Sequence, residues 1–134
     1  MNTIILHENI NTYRFIGREV QMQIRFIILT ILNALIMVTG QSLWKMGISK
    51  VGGLCLKLIL EPYVIAGLFC YGVSTVLWFY ILSKLPFSTA YPLNSITYVL
   101  ALVVGYFIFK ESISAQKMAG TAFILLGVFF IARG

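Results

Sequence analysis

The chain is poor in the residues that soluble enzymes use. Aspartate is absent, and glutamate occurs four times, at positions 8, 19, 61 and 111. Histidine occurs once, as His7, and cysteine twice, as Cys55 and Cys70. No Ser-His-Asp set, paired carboxylates, phosphate-binding loop or metal-ligand spacing can be assembled from these. With no Cys-x-x-Cys and no histidine cluster, neither a metal site nor a disulfide framework is supported, and no cofactor is implied. Charged residues make up only 10% of the chain and hydrophobic ones 60%. A soluble domain needs far more charge to cover its surface. The apolar excess must therefore face lipid.

What charge there is lies at the ends of apolar runs. Ten Lys and Arg against four Glu give a net +6 over 134 residues. In a soluble protein such a balance suggests nucleic acid. At the ends of apolar runs it suggests side chains snorkelling to lipid headgroups, and no nucleic-acid partner is expected.

Residues 1–25 are mixed in character and lack the apolar core of a signal peptide. Met22 precedes Gln23-Ile24-Arg25 and the first long apolar run, so it reads as an alternative start that makes 1–21 a mis-assigned extension. Taken as real, 1–21 is a short tail on the membrane surface. Residues 26–132 are expected to form one transmembrane domain of four helices. The runs are Phe26 to Trp44, Tyr63 to Leu82, Phe87 to Phe109 and Met118 to Ala132, the first three close to the ~20 residues that cross a bilayer core. They are continuous rather than alternating, and four strands could not close a barrel. Links of a few residues, Ser83 to Pro86 and Lys110 to Gln116, force antiparallel hairpins. The longer link, Met46 to Leu60, holds Gly52-Gly53 and an apolar stretch suited to an interfacial helix. Basic residues divide five against five between the two sides: Arg14, Arg18, Arg25, Lys84 and Arg133 against Lys45, Lys50, Lys57, Lys110 and Lys117. The positive-inside rule therefore sets no orientation.

Polar groups in hydrocarbon turn toward protein or a wet cavity. At 100° per residue, Thr30, Asn33, Met37, Gly40, Gln41, Trp44 and Lys45 share a broad face of the first helix. Tyr63, Gly67, Cys70, Tyr71, Ser74 and Trp78 share a stripe of the second. Ser88, Tyr91, Ser95, Tyr98 and Gly105 share one of the third, with Asn94 at its edge. Such stripes also arise as plain helix–helix seams. Asn33, Gln41, Lys45 and Tyr91 are harder to satisfy in a tight seam and point to a chamber enclosed by three helices. Pro92 removes a backbone hydrogen bond inside the third helix and marks a hinge. In the fourth, Gly120 and Gly127 lie seven apart on one face, a pattern for close packing or dimerisation. No Glu lies mid-membrane. Lys45 is the one charge placed to reach the chamber, and it suits an anionic group such as phosphate.

Three motifs resemble the drug/metabolite transporter superfamily: Gly40-Gln41-Ser42-Leu43-Trp44-Lys45, Pro86-Phe87-Ser88-Thr89-Ala90-Tyr91-Pro92-Leu93, and Phe109-Lys110-Glu111-Ser112-Ile113-Ser114 followed by Gly120 and Gly127. The resemblance covers about Phe26 to Ile131. It implies an all-α bundle like that of small multidrug resistance proteins, dimeric, multi-pass in the inner membrane and not an enzyme. The multidrug branch carries an essential Glu two turns before the lysine. That position here is Met37. The chain looks more like the flippase subunits for undecaprenyl-phosphate-linked aminoarabinose, which also lack that Glu. A transporter subunit for a lipid-linked sugar or similar amphipathic substrate is the expectation, working as a homodimer or beside a paralogous four-helix subunit. Lys45 would attract the phosphate. Asn33, Gln41, Tyr91 and Asn94 would bond the polar headgroup, and Trp44, Tyr71 and Trp78 would stack on a sugar or cation. The alternatives are a multidrug-type exporter of cationic compounds with other coupling, and a non-transporting accessory subunit.

Overall fold

A computed structural model describes residues 2–133, with side chains described for residues 21 and 24–131. All regular structure among them is helical. The elements are α1 (Asn2–Val51), a short 3-10 turn (Leu56–Leu60), α2 (Pro62–Leu82), α3 (Phe87–Asn94), α4 (Ile96–Phe107) and α5 (Ala115–Arg133). Three stretches are long and apolar enough to cross a bilayer: Ile24–Val51, Pro62–Leu82 and Phe87–Phe107. A shorter apolar helix, Ala115–Ile131, follows.

The first helix is far longer than the apolar run that announces it. It begins at Asn2 and continues past Trp44 to Val51, so the segment expected as a tail carries helical backbone. No proline lies between its ends to stop it. It stops at Gly52 and Gly53, whose φ angles of 84° and 139° only glycine adopts easily. Both of their N–H groups donate to the carbonyl of Ile48, at 3.0 and 3.3 Å. The apolar part, Ile24–Val51, spans 28 residues, or about 42 Å at 1.5 Å per residue, against a hydrocarbon core of about 30 Å. This helix therefore tilts or projects from the membrane. Arg14, Arg18 and Arg133, part of the charge balance above, lie outside the residues whose side chains are described.

The core is the seam between α1 and α2. Gly40 and Gly67 face each other so closely that a Cβ on Gly67 would stand 2.7 Å from the Gly40 carbonyl oxygen. Small residues let two backbones meet this way where no hydrophobic effect drives helices together. Ala34, Val38, Ile81 and Ala90 are buried around the seam, with Thr30, Asn33 and Ser74 as its buried polar groups. Thr30 bonds the Phe26 carbonyl one turn back in its own helix at 2.8 Å, so its hydroxyl is satisfied without a partner helix. Large apolar side chains such as Phe69, Val76, Phe79 and Phe123 point outward, the arrangement a lipid solvent requires.

The third span is two helices rather than one. Pro92, expected as a hinge, lies inside α3. The interruption falls at Ser95. There the Ser95 N–H donates to the Pro92 carbonyl at 3.0 Å, and the Tyr98 N–H to the Ser95 carbonyl at 2.9 Å. These i to i+3 bonds tighten the turn just downstream of the proline. α5 packs against α3 and α4, yet a Cβ on Gly120 or Gly127 would meet nothing within 4 Å. Their shared small-residue face is open in the single chain.

Candidate functional site

The polar stripes enclose two cavities, not one chamber. The first, of about 180 Å³, is lined by Asn33, Met37, Tyr71, Ser74, Thr75, Trp78, Tyr91 and Asn94, from α1, α2 and α3. The second, of about 230 Å³, is lined by Gln41, Ser42, Lys45, Gly105, Phe109 and Glu111 together with Val38, Ala101 and Val104. On α1 the two sets, 33 and 37 against 38, 41, 42 and 45, lie roughly 110° apart around the helix. The break at Ser95 makes the same division on the third span. α3 serves the first cavity and α4 the second.

The first cavity is uncharged and aromatic. Ser74 donates to the Asn33 Oδ1 at 2.9 Å across the seam, with both groups buried. Trp78 meets Tyr91 edge-on with centroids 5.4 Å apart, and the Phe87 ring is tilted against Tyr91 with centroids 4.1 Å apart. Asn94 Oδ1 is buried with no hydrogen-bond partner among the described residues. A buried acceptor of that kind is costly unless a donor arrives. Met37, the position at which the multidrug branch carries its Glu, faces this cavity, which therefore has no carboxylate in its lining. Trp44 lines neither cavity. Its indole covers Gly67 and lies 4.9 Å from Tyr71, and its Nε1 is buried without a partner among the described residues.

The second cavity carries the charge. Lys45 is ion-paired with Glu111, its Nζ 4.3 Å from the centre of the Phe109 ring. Both charged side chains are about half exposed, at 50% and 43%. The Lys45 contacts, a hydrogen bond and then the charge, hold the Glu111 carboxyl below its ordinary pKa. Sequence reasoning put Lys45 here and overlooked Glu111 as a helix-end residue. The signal was available. The first and third spans of an up-down bundle run parallel, so Lys45 and Glu111, each near the C-terminal end of its span, belong to one membrane face. Local backbone completes the placement. Lys110 takes the left-handed conformation, φ 54°, and the Glu111 N–H returns to the Gly105 carbonyl at 2.9 Å. This is a left-handed helix end closed by a bond that reaches six residues back. It folds the carboxylate over Gly105, where an added Cβ would lie 3.1 Å from Oε2.

A third recess, apolar and about 410 Å³, lies on the other side of α4 between Val103, Tyr106 and Phe107 and the first turns of α5 at Met118. Farther along the same membrane face Lys50 donates to Glu61 at 2.7 Å, tying the end of α1 to the start of α2.

Residues 21–133 match the EamA-like transporter family. The chain belongs to that family. It is a family of transporters, not of enzymes, and the apolar helices make this member a multi-pass membrane protein. A Serratia proteamaculans protein described as a probable 4-amino-4-deoxy-L-arabinose-phosphoundecaprenol flippase subunit ArnF is 33% identical over 111 residues, covering 74% of this chain and 85% of its own. The corresponding ArnF of Shewanella sediminis is 32% identical over 129 residues, 82% of this chain and 89% of its own. A subunit described as ArnE, from Pseudomonas savastanoi pv. phaseolicola, is 36% identical over 64 residues, 48% of this chain and 56% of its own. No solved structure matches the chain.

Proposed function

We propose that this chain is one subunit of an inner-membrane flippase for a polyprenyl-phosphate-linked sugar. The observation that carries the reading is likeness, over most of their length, to flippase subunits for such a lipid, joined to a cavity holding the Lys45–Glu111 ion pair beside an uncharged aromatic one. In this reading Lys45 receives the phosphate and Gln41 bonds it. The sugar enters the neighbouring cavity, where Asn33, Tyr91 and Asn94 offer hydrogen bonds and Trp78 and Tyr71 offer ring faces. Trp44 braces Tyr71 from behind. The apolar recess along α4 gives the polyprenyl chain a bed. The four apolar helices cross the membrane, and the open Gly120 and Gly127 face of α5 seats a second four-helix subunit, either a copy or a paralogue. Pro92 and the break at Ser95 let α3 swing relative to α4 as the headgroup crosses.

The test is transport in proteoliposomes holding the chain with its partner subunit and a fluorescent polyprenyl-phosphate sugar. Lys45→Ala is expected to lower the flipping rate at least tenfold, and full activity in that variant would refute the phosphate site. Resistance to quaternary ammonium compounds on overexpression, with no lipid flipping, would favour a cation exporter built on the same aromatic cavity.

A further inference from the structure

We propose that Glu111 is a stand-in for the substrate's anion, neutralising Lys45 while the cavity is empty and giving way when a phosphate arrives. The inference rests on the reading of Lys45 as a phosphate site and adds a selectivity device to it. An ammonium lining a cavity among apolar helices needs a counter-charge. Glu111 supplies it from outside the rigid part of the fold. Its carboxylate hangs on the link after α4, held by a left-handed Lys110 and by one backbone bond to Gly105. Lys45 instead stands on the helix that forms the core seam. The pair is half exposed and opens on about 230 Å³ of space beside Gln41, so a ligand reaches the ammonium without unpacking a helix.

A phosphate ester competes well for that ammonium. The diester of a lipid-linked sugar offers two free oxygens where Glu111 presents one to Lys45 and matches the carboxylate's single charge, and a monoester carries more charge still. Once it is seated, repulsion drives the carboxylate away from Gly105 and frees the 108–114 link between α4 and α5. A neutral or cationic headgroup cannot replace Glu111 at the ammonium, so it leaves the pair closed. Loading would thus be sensed at the link to α5.

The experiment measures binding of undecaprenyl phosphate to the purified full chain in nanodiscs, read by fluorescence of Trp44 and Trp78, with undecaprenol as the neutral control. Glu111→Gln should bind undecaprenyl phosphate roughly fivefold more tightly than wild type, the size expected from releasing a half-exposed ion pair. Undecaprenol affinity should not change, which also shows that the variant is folded. Lys45→Gln should lose the preference for the phosphate lipid, and Lys45→Gln/Glu111→Gln should not regain it. Competition by excess inorganic phosphate distinguishes a free anion from a lipid headgroup as the occupant, and displacement by either supports the counter-ion role. If wild type prefers the phosphate lipid but Glu111→Gln binds it no better, the counter-ion role is overturned and the phosphate site stands. If wild type does not distinguish the two lipids, both fall.

Discussion

Gly40 and Gly67 show how much one hydrogen atom decides at the α1–α2 seam. A Cβ at Gly40 would stand 2.9 Å from the Gly67 carbonyl oxygen and 3.3 Å from the Cys70 Cβ, and backbone cannot step aside as a side-chain tip can. Gly40→Ala is therefore expected to cost about 1–3 kcal/mol, seen as a lower unfolding midpoint in detergent. Glu111 has the same leverage through charge. Lys45, with a smaller contribution from Lys117, depresses its pKa, so its contribution to stability is complete above the ordinary carboxylate range and is lost as pH falls through the depressed value. The midpoint difference between wild type and Glu111→Gln should be constant near neutral pH and close only in acid below that range. A difference that vanished already near neutral pH would show that the pair does not form.

At the scale of elements, the ends of helices place the site more than their middles do. Lys110 occupies a left-handed position that an L-residue adopts at a cost of about 1–2 kcal/mol. Lys110→Gly should therefore raise stability by up to about 1 kcal/mol while keeping Glu111 over Gly105. Lys110→Val should lower it and erase the pH signature of Glu111, because a β-branched residue resists positive φ. Unfolding midpoints of the two variants across pH check both statements. The apolar runs made the helices legible from sequence, since hydropathy reports directly on what lipid demands. Their limits were less legible. α1 outruns its apolar run because polar residues also form helix until Gly52-Gly53 intervenes. The third span divides at Ser95, just past Pro92, because the turn tightens downstream of the missing N–H.

At the scale of the whole molecule, the helical wheel identified polar faces but could not divide them. Asn33 and Met37 turn toward α2 and α3, whereas Gln41 and Lys45 turn toward α4. That division depends on where neighbouring helices sit, which no single helix encodes. Lys45 stood out as the one charge placed to reach the chamber. Its partner did not, because Glu111 lies 66 residues away and meets it only through the parallel course of the first and third spans. Trp44, grouped with the binding aromatics by its stripe, is half-buried and lies against Gly67. The account as a whole depends on these inward polar groups bordering water within the bilayer. Single cysteines at Gln41 and Asn94, and at outward-facing Phe69 and Val76, in a chain carrying Cys55→Ser and Cys70→Ala, test this in proteoliposomes with a water-soluble, membrane-impermeant thiol reagent. Labelling at 41 and 94 with none at 69 and 76 is the predicted result, whereas silence at 41 and 94 would mean dry seams and no path for a headgroup.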